Sequence, residues 1–163
     1  MRSTMQAYTM LTLLAAASLS PVLTDAAPAA GLAQLEGKWS YASDCNFGHY
    51  AEMEVKPDGS GKSATGTWSD GTRTGGEAGD LSGRLEGDKL YVLLCTEDDM
   101  HDGGKCAIGD RKNVGGYLRR EGKKLAWYRL IGQGADAKYE KYLELQRGKM
   151  KPAPEESCPP DGD

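Results

Sequence analysis

Short runs of alternating apolar and polar residues, separated by turns that contain glycine, recur from residue 38 to residue 146. Two hairpin patterns are the clearest, and they pair 81–85 with 89–95 and 114–120 with 124–131. A period of two directs successive side chains to opposite faces of a strand, and three-residue turns with glycine suit antiparallel hairpins. The chain is therefore predicted to be all-β, with about eight short antiparallel strands forming a small barrel or sandwich.

The remaining segments are less regular. Strands are predicted at 38–41, 49–56 and 62–69, and the Pro-Asp-Gly composition of 57–61 predicts a turn. The segment 70–79 has four glycines and is predicted to be a loop. The segment 139–146 alternates tyrosine and leucine with charged residues, which predicts a strand, although a final helix also fits its apolar positions.

The first residues indicate the compartment. Arg2 precedes an apolar run over 7–19, and small residues follow at 24–29. A positive start, a short apolar core and a small-residue cleavage site are typical of a secretory signal. A membrane-spanning helix needs roughly 20 apolar residues, and Pro21 and Asp25 interrupt this run. We expect a periplasmic or secreted protein without a membrane anchor.

This pattern divides the chain into four parts. They are a signal peptide at 1–27, a linker at 28–35 that ends in a helical turn, an antiparallel β domain at 36–148 and a Pro-rich tail at 149–163. The chain has four cysteines, Cys45, Cys95, Cys106 and Cys158. An even count in a small exported protein predicts two disulfides, with three possible pairings. We expect Cys95–Cys106 to clip the loop between them and Cys45–Cys158 to tie the tail to the domain.

Chemistry-bearing motifs are scarce. The segment 96–104 is rich in acids, but Met100 stands where EF-hand-type spacing needs a carboxylate, and no glutamate closes the loop. The cysteines lack a Cys-x-x-Cys pair, and no nucleophile motif is found. The sequence therefore predicts no enzyme activity, no catalytic residue, no metal site and no cofactor.

Charge favours a protein partner instead. The net charge of −4 offers no attraction to nucleic acid or anionic membrane. An acidic loop held by a disulfide loses little entropy when it docks on a cationic protein. The predicted partner-binding residues are Asp98, Asp99, His101, Asp102 and Tyr117. Basic residues gather at 111–129, where hairpin alternation divides them between two faces.

The start of the domain resembles a known family. Gly37-Lys38-Trp39 is similar to the Gly-x-Trp of lipocalins and other calycins, in which the tryptophan closes the barrel floor. Tyr139-Glu140-Lys141-Tyr142 resembles the Tyr-x-x-Tyr of that family, and Arg147 resembles the arginine that stacks on the tryptophan. Ala137-Lys138 stands where the family has Thr-Asp. The resemblance implies a barrel that carries a small apolar ligand.

A second similarity lies in size and type. Periplasmic lysozyme inhibitors are small β barrels, and Gly-Gly-Tyr at 115–117 is loosely similar to their Ser-Gly…Tyr loop. The predicted function is therefore an exported protein-binding domain, in particular a periplasmic inhibitor or immunity protein against a cell-wall-degrading enzyme. The alternative is a calycin-like carrier.

Overall fold

The computed structural model describes residues 31–45, 48–100, 104–109, 111 and 114–152. The predicted signal peptide and the residues His101, Asp102 and Cys158 lie outside the described residues.

Eight antiparallel strands form a closed barrel in which each strand pairs with the next. Pairing of Trp39 with Arg147 and of Ser40 with Gln146 joins the last strand to the first and closes the sheet. Closure leaves the sheet without a free edge. The strands are β1 Gly37–Ser43, β2 His49–Pro57, β3 Ser63–Thr72, β4 Gly75–Glu86, β5 Lys89–Thr96, β6 Gly116–Glu121, β7 Lys124–Ile131 and β8 Lys138–Arg147.

In the described residues, three 3₁₀ turns accompany the strands, at Leu32–Gln34, Asp98–Met100 and Gly134–Asp136. The all-β class, the barrel and both predicted hairpins are confirmed. The segment 139–146 is a strand and not a helix. The register shifts between Trp127 and Tyr128, so that Trp127 pairs with Leu143 while Tyr128 pairs with Lys141.

The prediction of a loop at 70–79 is wrong. Strand β3 continues to Thr72 and β4 begins at Gly75, so only two residues connect them. The glycines allow the two paired strands to approach each other closely and do not form a long loop. A side-chain carbon on Gly71 would lie 2.6 Å from the Cα of Gly76 and 2.8 Å from the Tyr50 hydroxyl.

Large apolar side chains fill the barrel. Trp39, Met53, Leu118 and Trp127 are each at most 2% exposed. Leu32 and Leu35 pack against the same core from the 3₁₀ turn before β1. We call the end of the barrel at which this 3₁₀ turn lies the closed end. The opposite end, where the β3–β4 turn lies, is called the mouth.

The Cys95–Cys106 disulfide is present, with Cα atoms 5.8 Å apart, as predicted. The Cys45–Cys158 pairing stays a prediction, because Cys158 lies outside the described residues. After β8 the chain lies along β1. The Gly148 amide donates to the Lys38 carbonyl at 2.8 Å, and the Met150 amide donates to Ser40 Oγ at 2.7 Å.

Candidate functional site

The predicted acidic loop leaves β5 at the mouth of the barrel. Asp98 and Asp99 lie in the 3₁₀ turn Asp98–Met100, and both are exposed. The Asp99 carboxylate accepts hydrogen bonds from the Thr96 amide at 2.8 Å and from the Thr96 hydroxyl at 2.9 Å. These bonds lower the pKa of Asp99. Asp99 therefore holds its own loop in place, whereas Asp98 faces solvent.

The loop shares a groove with the neighbouring strand. Glu97 and Asp98 line one side of this groove, and Glu77 and Asp80 of β4 are also part of its lining. We call these four residues the acidic groove. Gly76 and Gly79 contribute backbone to the lining, and no lysine or arginine lines it in the described part of the chain. All four acids are exposed, so the groove presents negative charge without compensation from its own lining.

Tyr117, the fifth predicted residue, lies elsewhere. It projects from the outer surface of β6 and is 6% exposed. Its ring stacks on Tyr128 at a centroid distance of 4.4 Å, makes a T-shaped contact with Tyr139 and lies tilted against Tyr91. We call this cluster the tyrosine face; its members are Tyr91, Tyr117, Tyr128 and Tyr139. The structure thus brings Tyr117 to other aromatic rings and not to Asp98 or Asp99.

The Glu121 carboxylate lies beside the tyrosine face and hydrogen-bonds to three neighbouring side chains. Glu121 accepts hydrogen bonds from Lys141 at 2.6 Å, from the Tyr128 hydroxyl at 2.8 Å and from Arg119. The bonds from Lys141 and Arg119 hold the pKa of Glu121 down at about 2, against an ordinary value of 4.5. The basic groups that flank the tyrosine face are thus partly neutralised within the chain.

Sequence reasoning missed a polar cluster inside the mouth. Asp70, whose side chain is 10% exposed, contacts His49 Nε2 at 2.8 Å and the Arg129 guanidinium at 2.5 Å, and it accepts from the Tyr142 hydroxyl at 2.9 Å. The Arg129 guanidinium also lies 3.9 Å from the centre of the Tyr142 ring and 4.5 Å from that of Trp127. We call these groups the Asp70 network.

The Asp70 network joins two strand pairs that are distant in sequence, β2–β3 and β7–β8. His49 comes from β2, Asp70 from β3, Arg129 from β7 and Tyr142 from β8. Burial and the hydrogen bond to Asp70 raise the pKa of Tyr142 to about 12. The network braces the mouth across the barrel. The predicted strand 49–56 offers one sequence signal for it, because alternation places His49 on the same face as Met53 and Val55, but alternation identifies no partner for His49.

Hairpin alternation divides the basic residues as expected. Arg119 lies on the outer surface with Glu121, whereas Arg129 lies against Trp127 inside the mouth. Arg120 lies over the ring of the buried Trp39 at the closed end. The described arginines of this segment are therefore divided between the outer surface and the inside of the barrel.

Comparisons with protein-family models, with curated proteins and with solved structures give no match. In the described ranges no helix is long and apolar enough to cross a membrane. The same residues contain no group of three or more His, Cys, Asp or Glu side chains arranged to hold a metal ion.

Proposed function

We propose that the protein is an exported protein-binding domain whose acidic groove docks a cationic partner. The observation that carries this proposal is the groove itself, in which Glu97 and Asp98 are joined by Glu77 and Asp80 without a lining cation. An inhibitor or immunity protein against a cell-wall-degrading enzyme is the specific form that we propose.

The groove is well suited to docking because its two sides are held in place. Glu77 and Asp80 belong to β4, which pairs with β3 over Gly75–Arg84 and with β5 over Gly79–Glu86. Glu97 and Asp98 follow β5 directly. Both lie within the short segment that the Thr96–Asp99 hydrogen bonds close and within the loop that the Cys95–Cys106 disulfide closes. Groups that are already ordered lose less entropy on association.

The charge of the groove predicts how association depends on salt. Like charges that converge on one groove attract an oppositely charged protein before contact and raise its association rate. Screening acts over roughly 8 Å at physiological ionic strength, so the rate should fall steeply with added salt.

Core packing favours this proposal over the calycin-like carrier. Two tryptophans, Met53, Val55 and several leucines fill the barrel at 2% exposure or less. An apolar ligand would need space that these side chains occupy. A carrier role for this chain would require the core to open, whereas docking at the groove requires no such change.

The test uses the mature, oxidised protein and a panel of cationic cell-wall-degrading enzymes that includes a lysozyme. The groove variant combines Glu77→Gln, Asp80→Asn and Asp98→Asn. The matched control makes the same charge change on exposed acids outside the groove, with Glu36→Gln, Glu52→Gln and Asp88→Asn.

For an enzyme that the protein inhibits, the groove variant should associate at least tenfold more slowly at low salt and should lose most of its salt dependence. The control should associate within about twofold of the wild type. The proposal fails if no enzyme of the panel is bound, or if the groove variant and the control behave alike.

A further inference from the structure

Two arginines share one aromatic ring at the closed end of the barrel. Arg120 comes from β6 and Arg147 from β8, and their guanidinium carbons lie 4.7 Å and 4.5 Å from the centre of the Trp39 ring. The indole is 1% exposed, and its Nε1 donates to the Leu35 carbonyl at 2.8 Å. The ring is therefore a fixed platform that two like charges share.

In the part of the chain that the structure describes, these two charges differ from that of Arg129 at the mouth, which has a counter-ion. Arg129, which also lies on aromatic rings, is paired with Asp70 at 2.5 Å. Among the described residues, neither Arg120 nor Arg147 forms an ion pair with a carboxylate. Arg147 donates to the Gln34 carbonyl at a long 3.4 Å.

Arg120 also has an unused donor. Its Nη1 atom is buried and has no hydrogen-bond partner in the described part of the chain. Burial and the charge of Arg147 both lower the pKa of Arg120. A buried donor without a partner is unfavourable, because it has lost its hydrogen bond to water and forms no hydrogen bond within the protein.

The pair is nevertheless within reach of solvent. Arg147 is exposed and Arg120 is half-buried. Gly37 has a φ of 108°, and a side-chain carbon there would lie 3.0 Å from Arg147 Nη1. The glycine therefore lets the guanidinium lie directly against the start of β1, which fixes its position relative to Trp39.

We propose that the closed end binds a small oxyanion between Arg120 and Arg147, with Trp39 as the platform for both guanidiniums. The chemical class is a phosphate or sulfate group, because planar guanidinium forks match tetrahedral oxyanions with paired hydrogen bonds. Such a group would neutralise the two charges and give the buried Arg120 donor an acceptor. The site lies at the opposite end of the barrel from the acidic groove and does not depend on the function proposed for that groove.

The group could be a free inorganic ion or the phosphate of an organic ester, and two ligand arms separate these sources. One arm titrates inorganic phosphate and sulfate, and the other titrates a sugar phosphate, all at constant ionic strength with chloride as the reference anion. Thermal unfolding and tryptophan fluorescence are followed in each. The variants are Arg120→Gln and Arg147→Gln. Arg73→Gln is the matched control, because Arg73 is exposed and paired with Asp44.

The wild type and the Arg73→Gln control should show a saturable rise in Tm with at least one of the two arms. Each site variant should need at least tenfold more ligand for the same rise. In chloride alone, Arg120→Gln should be at least as stable as the wild type, because it removes an unpaired charge, and this readout shows that the variant folds. A response that never saturates, or one of equal strength in all four proteins, would overturn the proposal. So would the absence of any response in both arms.

Discussion

Replacement of Glu121 by glutamine tests the electrostatic account of the outer surface. The pKa of Glu121 lies at about 2 because Lys141 and Arg119 hydrogen-bond to its charged form. A drop in pKa from 4.5 to about 2 corresponds to at most about 3–4 kcal/mol of folding free energy. The Glu121 side chain is 25% exposed, so solvent screening reduces this contribution. We expect Glu121→Gln to lower the free energy of unfolding by about 1–2 kcal/mol at pH 7.

The sign of the pH dependence follows from the lowered pKa. The folded state favours the charged carboxylate, so its contribution is present above the ordinary pKa of 4.5 and is lost as the pH falls toward 2. The difference between the wild type and Glu121→Gln should therefore be full at pH 6–7, shrink below about pH 4.5 and nearly vanish near pH 2.

Urea unfolding of the oxidised protein, followed by tryptophan fluorescence at several pH values, measures this difference. Glu52→Gln is the control, because Glu52 is exposed and such surface changes usually alter stability by less than about 0.5 kcal/mol. The reasoning is refuted if Glu121→Gln costs no more than the control at pH 7. It is refuted equally if the difference is the same at pH 2.5 as at pH 7.

Three further predictions concern the barrel itself. Asp70→Asn should lower the free energy of unfolding by about 1–3 kcal/mol, because three partners lose a charged acceptor; urea unfolding at pH 7 measures the loss, and a neutral effect would contradict the bracing role of the network. Gly66→Ala should destabilise by about 1–3 kcal/mol or prevent folding, because the added methyl would overlap the Glu54 carbonyl oxygen. Gly59→Ala, where the space is open, should be tolerated, and equal Tm values for the two variants would contradict the argument. The double change Cys95→Ser and Cys106→Ser should lower the free energy of unfolding by about 2–4 kcal/mol. The reason is that the unfolded chain loses the cross-link between two residues that are 11 positions apart and so gains entropy. Denaturant midpoints that match those of the oxidised wild type would rule this out.

Local patterns in the sequence were enough for the two clearest hairpins and for one disulfide. The hairpins at 81–95 and 114–131 each combine period-two alternation with a short turn, and both signals lie within about 20 residues. Cys95 and Cys106 flank one loop, so their pairing also needed only local reasoning. The resemblance to calycins named Arg147 as the partner of Trp39, and the two side chains are in contact, although the family relationship itself stays a proposal.

Tertiary structure decided which strand ends meet. A period of two tells which face of its own strand a residue occupies, but it says nothing about which distant strand lies across the barrel. Asp70 meets Arg129 and Tyr142 only because closure brings β3 opposite β7 and β8. The glycines at 71–79 were misjudged for a different reason: glycine-rich composition also suits a loop, whereas Gly71 and Gly76 here allow two paired strands to approach closely. The acidic loop was visible in the sequence, but Glu77 and Asp80 joined it only when β4 folded beside β5.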